Sequence, residues 1–299
     1  MRRRHFLNYS LLFLAGCAGT AGQGTPLSLH PEASVDSSRP TELKFAVTDI
    51  IGLEELEQNF EAFRQQLEVV TGIPITFYPV PNYLAAAPAL LANDLDLALA
   101  GPSEYLLLRG RAQAEPLVQI TRPNYYSVIV TRKDSGMTSL ADLNGKTVAM
   151  RAEGSTAGHI FPMKLLIEAG VNPDNVQIQM LDKKGLNALM AGEVDAWADS
   201  HRRYIEFAVD QGLEDELAIL SQGDLLPGDI FVANPSLGPK FIQELRLIML
   251  THQETLLTAL ASSKANAKYQ KSSVSEAQDG DYDAVRRIYR AIGLESAIQ

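Results

Sequence analysis

The chain has 299 residues, 46% hydrophobic and 21% charged, with 26 Lys and Arg against 36 Asp and Glu, a formal charge of −10, and a single cysteine. An ordinary apolar content and a mean hydropathy of −0.04 exclude a polytopic membrane protein and a disordered chain, and they suffice for one large domain or two ordinary ones. A pI near 5.0 repels nucleic acid and anionic lipid at long range, so a bound anion has to be captured locally; one cysteine excludes an internal disulfide and a clustered-thiolate metal centre.

Residues 1–16, MRRRHFLNYSLLFLAG, join a basic start to a short apolar stretch and run through small residues into Cys17. The stretch is too short to span a bilayer. Leu14-Ala15-Gly16-Cys17 resembles a bacterial lipobox, which implies cleavage before Cys17 and a lipid on its thiol; Arg3-Arg4-His5-Phe6-Leu7 also resembles a twin-arginine export signal. Residues 17–41 are rich in Gly, Ser, Thr, Ala and Pro without a period, as a flexible tether is. The expected location is the periplasm, with the body anchored to the membrane as a lipoprotein.

Residues 43–47 alternate as a strand, and apolar residues at Leu56, Phe60, Phe63, Leu67 and Val70 predict a helix over 53–70. A strand over 73–79, a helix over 83–92 and a strand over 95–100 follow. The pattern then restarts: strands over 126–132 and 147–150, a helix over 156–168, a strand over 176–181, a helix over 186–191 and a short strand over 196–198. Strand–helix alternation of this kind implies α/β units with largely parallel sheets, whose ligands gather at the carboxyl ends of the strands. Helical stretches over 237–260 and 282–292 have no strand of their own to complete and are expected to pack back on the first unit. The expected organisation is two α/β lobes, 42–130 with 234–299 and 131–233, joined by two crossovers near Thr131 and Asn234 with a cleft between them.

The most informative run is Arg151-Ala152-Glu153-Gly154-Ser155-Thr156-Ala157-Gly158-His159. It follows a strand and opens an amphipathic helix, so the backbone N–H groups at Ser155, Thr156 and Ala157 and two hydroxyls are placed at a helix amino end, which suits a small oxyanion. Ser and Thr are also ordinary helix caps. The run lacks the Gly-Lys-Ser/Thr of a phosphate-binding P-loop and the GxGxxG of a dinucleotide site.

Asn82-Tyr83, the Asp96–Ser103 strand end, Tyr125-Tyr126-Ser127-Val128, Gly154-Ser155-Thr156-Ala157-Gly158, Asn187-Ala188-Leu189 before Val194-Asp195-Ala196, and Leu226-Pro227-Gly228-Asp229 occur in order. Together they resemble the phosphate/phosphite/phosphonate-binding family of ABC-transporter substrate-binding proteins over residues 43–250. The resemblance implies a type II periplasmic binding protein fold, two α/β lobes on a two-stranded hinge, and phosphoryl oxygens held at the Ser155-Thr156-Ala157 turn. It places Tyr83 and Tyr125 on the first lobe with hydroxyls reaching the ligand, half-buried packing being the alternative. It makes Asp229 the acceptor of a P–OH, where a turn role after Pro-Gly is the alternative. The chain departs from the family where phosphonate-specialised members carry a histidine: here the count falls on Lys184, beside Lys183, and Arg202 stands where an amine-binding acid is expected. Cations facing the cleft would favour a bare anion over an aminoalkyl ligand; as solvated surface residues they would do neither. His159 either donates to the ligand or serves the helix surface, and Trp197 reads as core.

No HExxH, GxSxG or paired-carboxylate pattern appears, so no enzyme, metal or cofactor is expected. The expected function is a lipid-anchored, monomeric receptor that takes a small phosphorus oxyanion to an ABC permease and its ATPase, with no nucleic-acid partner. A ligand sensor feeding a membrane kinase and a hydrolase on the same scaffold are the alternatives.

Overall fold

In the computed structural model residues 39–299 are described; the export segment 1–16, the lipidation site Cys17 and the tether up to residue 38 lie outside them. The chain runs β1 (Leu43–Val47), α1 (Leu53–Thr71), β2 (Ile75–Phe77), α2 (Ala86–Leu91), β3 (Leu97–Ala100), α3 (Pro102–Ala112), β4 (Glu115–Ile120), then β5 (Ser127–Arg132), β6 (Thr147–Met150), α4 (Phe161–Glu168), β7 (Gln177–Met180), α5 (Gly185–Ala191), β8 (Ala196–Ser200), α6 (His201–Phe207) and β9 (Leu217–Gln222). It closes with β10 (Asp229–Ala233), α7 (Pro239–Thr251), α8 (Gln253–Leu260), β11 (Val274–Glu276) and α9 (Asp283–Ala291).

The strands form two sheets, ordered β11-β4-β10-β3-β1-β2 and β7-β6-β8-β5-β9. Each sheet has a parallel trio, β2-β1-β3 and β7-β6-β8, flanked by one antiparallel strand that has crossed from the other half of the chain. The sheets exchange strands at 121–126 and 223–228, earlier than the lobe boundaries at 130 and 233 expected from the sequence. The reason is that β5 and β10 pair in the sheet they enter from their first residue, Ser127 with Ser200 and Asp229 with Ile120. The two crossings are themselves tied by Leu226 N–H to Tyr125 O at 2.8 Å and Gly223 N–H to Ser127 O at 2.9 Å.

Helix α1 buries Leu56, Phe60, Phe63 and Leu67, the stripe read from the sequence, and ends where Gly72 turns left-handed at φ 68°. Phe63 stacks on Phe231 of β10 at 5.1 Å between ring centroids, and Phe45 of β1 lies 5.6 Å from Phe63. Burying such a side chain contributes about 1.5–3 kcal/mol. The expected helix over 237–260 is two helices, broken at His252; α7 and α8 lie against the first sheet and α1, whereas α9 touches both α3 and α4. On the second sheet Trp197 is fully buried and rests on Gly185, where a Cβ would meet its indole ring. Among the described residues no helix is long and apolar enough to cross a membrane.

Gly228 is required by close approach rather than by its dihedral angles: a Cβ there would overlap the Ile120 carbonyl oxygen at the end of β4, where the neighbouring crossing begins. Gly228→Ala is therefore expected to destabilise the body by about 1–3 kcal/mol, the range for forcing extra carbon into a packed contact. A thermal midpoint equal to that of the wild type would show that the two crossings have slack.

Candidate functional site

Charged and polar residues stand at the carboxyl ends of the strands of both sheets. Asp49 follows β1, Gly101 follows β3, Arg122 follows β4, Arg151 follows β6, and Asp199 and Ser200 end β8. They enclose two adjoining spaces. An inner chamber of about 20 Å³, little more than one water, is lined by these six together with Asp229, Glu104, Tyr125, Ser155, Thr156 and Ala157. An outer cleft of about 390 Å³ shares Asp49, Arg122, Arg151 and Ser200 with it and adds Tyr83, Lys183, Arg202, Arg203 and Lys268 to its wall.

The turn after β6 is built as its sequence suggests. Gly154 takes φ +85°, which side-chain-bearing residues rarely adopt, and Gly158 leaves room for the Arg151 side chain against the first helical turn. That turn is wide: the Ser155 carbonyl accepts both His159 N–H and Ile160 N–H at 3.0 Å before α4 begins. Wide turns of this kind recur at functional sites. As the first groups of the helix, the N–H of Thr156, Ala157 and Gly158 precede any intrahelical acceptor. Ser155 Oγ makes no cap hydrogen bond to the helix that it opens, whereas Thr156 Oγ1 accepts Ser103 N–H at 2.9 Å and lies 3.2 Å from Glu104 Oε2. Ser127 Oγ donates to the Ala157 carbonyl, fixing the turn on β5.

An ionic lattice surrounds it. Arg122 pairs with Asp229 at 3.0 Å and lies over the Tyr125 ring, 3.6 Å from its centroid. Asp229 also accepts from Tyr269 Oη at 2.7 Å and has Lys268 Nζ at 3.6 Å. Asp49 holds Lys268 at 3.2 Å and Arg151 at 3.9 Å; against the cost of burial, Lys268, Arg151 and Arg122 together keep its carboxyl well below the usual range. Arg151 also meets Asp182 at 3.2 Å. Asp199 differs: its Oδ1 accepts Ser200 N–H at 2.7 Å, but its buried Oδ2 has no hydrogen-bond partner among the described residues, with Arg203 3.9 Å away. Burial pushes the Asp199 carboxyl up.

Of the residues singled out from the sequence, Tyr125, Ser155, Thr156, Ala157 and Asp229 come together in the inner chamber, and Tyr83 lines the outer cleft with Arg151 over its ring at 5.4 Å. His159 lines neither space: its Nδ1 accepts Gly154 N–H at 3.1 Å, bracing the turn, and burial lowers its pKa. Lys184 is exposed and lines neither space, because the short turn before α5 points its neighbour Lys183 to the cleft instead, where it pairs with Glu55 at 3.0 Å. Arg202 faces the cleft. Sequence reasoning missed Asp49, Glu104, Arg122, Asp199, Arg203 and Lys268, and gave no role to Arg151. No group of three or more His, Cys, Asp or Glu among the described residues is placed to hold a metal ion.

Two sheets wound in the same order, exchanging one strand each and meeting at a polar cleft, define a type II periplasmic binding protein. Residues 45–282 match the model of a family described as ABC transporter, phosphonate, periplasmic substrate-binding protein, and the chain belongs to that family. It is thus a binding component of an ABC transporter, periplasmic in its place of work, and not an enzyme. It is 23% identical to the phosphate-import protein PhnD of Mycolicibacterium smegmatis, over 96% of this chain and 97% of that one. It is 27% identical to a probable ABC transporter phosphite binding protein, PhnD1, of Prochlorococcus marinus, over 53% of this chain and 54% of that one. The structure of PhnD1 in complex with methylphosphonate superposes with a TM-score of 0.69 at 19% identity, covering 86% of this chain and all of that one.

Proposed function

We propose that this chain binds a small phosphorus oxyanion, namely phosphate, phosphite or a simple alkylphosphonate, and presents it to its permease. The observation that carries this reading is the amino end of the Thr156 helix opening into a buried chamber beside the guanidinium groups of Arg122 and Arg151. The phosphoryl oxygens would take the Thr156, Ala157 and Gly158 N–H groups and the Ser155 hydroxyl, with Tyr125 beside Thr156 in the inner chamber and Tyr83 on the wall of the outer cleft. A tetrahedral anion needs more room than about 20 Å³, so the two sheets part or the guanidinium groups swing before it enters. Relatives that import phosphate, bind phosphite or hold methylphosphonate support the ligand class. Anchorage by a lipid on Cys17 and action as a monomer belong to the same reading and rest on the lipobox resemblance and the transport role.

Asp229 has both oxygens engaged, so the acceptor for a P–OH is better sought at Asp199 Oδ2. A carboxylate in that position favours a guest that still carries a proton, and sulfate carries none near neutral pH. Competition calorimetry is expected to rank phosphate, phosphite and methylphosphonate at least tenfold above sulfate. It should also rank them above 2-aminoethylphosphonate, whose ammonium would face Arg202 and Arg203. Asp199→Asn should narrow the margin over sulfate. If the amine-bearing ligand binds tightest, the role given to the cleft arginines is wrong; if sulfate matches phosphate, the oxyanion class is wrong.

A further inference from the structure

We propose that Glu104 is a proton-operated positioning residue: with a proton it donates to Thr156 Oγ1 and turns the Thr156 hydroxyl onto the phosphoryl oxygens, so that ligand and proton bind together. This inference rests on the phosphorus-oxyanion reading of the site and adds a protonation step to it.

The argument is one of donors and acceptors. A threonine hydroxyl has one proton and two lone pairs. One lone pair of Thr156 Oγ1 is taken by Ser103 N–H. While Glu104 is ionised, the only bond possible across the 3.2 Å to its Oε2 has Thr156 as donor, so the hydroxyl proton is used inside the protein and a carboxylate borders the anion site. A protonated Glu104 reverses that bond: its O–H occupies the second lone pair, and the Thr156 proton turns away from Glu104, with the neighbouring Tyr125 Oη and an oxyanion in the chamber as its competing acceptors. A single proton therefore removes a negative charge and supplies a donor where an oxyanion would sit.

Glu104 is the chamber acid suited to this. Asp49 and Asp229 each have cations within 4.0 Å, and Asp199 has Arg203 at 3.9 Å, whereas no ion pair involves Glu104 among the described residues. It is buried on the first turn of α3, with its carboxyl against Gly101, where a Cβ would come within 2.6 Å of Oε2. The groups facing it are Asp49 after β1, Asp229 on β10, Arg151 after β6, and Arg122, Tyr125 and Asp199 around the same chamber, with Tyr83 and Tyr289 of α9 close by. Burial, with Asp49 and Asp229, pushes its carboxyl up to about 7, Arg151 and its own N–H opposing. Binding an anion beside it favours the proton further, and by linkage the proton favours the anion.

Calorimetry of inorganic phosphate binding at pH 8, in buffers of different ionisation enthalpy, reads the protons taken up. Phosphate brings a proton change of its own, so the comparison is with Glu104→Gln, whose amide N–H donates to Thr156 without titrating. Wild type is expected to take up close to one proton more than the variant, and its affinity to fall more steeply than the variant's as pH rises above 7. A second readout needs no ligand. An acid whose folded pKa is raised binds more protons in the native state, so its contribution to stability is full below its unfolded pKa and is lost as pH rises through its folded one. The midpoint of wild type should therefore fall relative to Glu104→Gln between pH 5 and pH 8, which an always-ionised structural glutamate would not produce. Should Glu104→Gln fail to fold, Glu104→Met, neutral and of similar size, gives the same comparison. Equal proton uptake by wild type and variant overturns the role of Glu104 while leaving the oxyanion reading intact. Failure of both proteins to bind phosphate or methylphosphonate overturns the reading of the site and the ligand-linked step with it.

Discussion

Asp229→Ala is expected to lower the stability of the folded body by about 3–5 kcal/mol, because it leaves the Arg122 guanidinium, on a side chain only 12% exposed, without its counter-charge. Arg122 stacks on Tyr125, so turning out into the outer cleft that it also lines would give up that contact. The same change strips Tyr269 Oη, itself buried, of its acceptor. At about 2–4 °C per kcal/mol for a chain of this size, the midpoint should drop by on the order of 10 °C. Asp229→Asn keeps an acceptor for Tyr269 and should lose less. A midpoint for Asp229→Ala within a degree or two of wild type would mean that Arg122 finds another partner, and that the lattice is looser than its distances suggest.

Replacing Ser155 and Thr156 together with alanine is expected to weaken oxyanion binding at least tenfold. Each removes a hydroxyl able to donate to an anion, a bond worth about 1.5–3 kcal/mol, and tenfold corresponds to about 1.4 kcal/mol. Thr156 also accepts from Ser103 N–H, so part of the double variant's deficit will be in stability. Ser155→Ala separates the two effects, since Ser155 Oγ makes no cap hydrogen bond to the helix, and it should reduce affinity at an unchanged midpoint. Wild-type affinity in the double variant would remove the helix amino end from the site.

The legible parts of the fold were those in which periodicity and punctuation agree. Helix α1 showed its stripe and its Gly72 stop, and the turn from Arg151 to His159 showed two glycines framing two hydroxyls straight after a strand. Helix α3 was missed because Tyr105, Leu106, Leu107 and Leu108 are all buried in succession, so it has no polar side from which to count a 3.6 period. Strand β10 was missed for a related reason: it is buried on both faces and does not alternate. Half of the site was illegible because its pairs span the chain, Asp49 with Lys268 and Arg122 with Asp229, and a sequence does not display pairing at such distances. A signal did exist: a charged residue one or two positions past an apolar strand, as at Asp49 and Arg151, marks the strand end where ligands collect.

The interleaving of the two sheets also bears on how the chain is made. Strand β10 sits between β3 and β4, so the first sheet stays open until Asp229–Ala233 has been synthesised, long after its other central strands. A nascent or partly exported chain that stops short of it presents two bare, apolar strand edges to any neighbour. Chaperone capture would therefore be needed across the whole interval between β4 and β10, and truncation at either crossing should yield an aggregating fragment rather than an independent lobe.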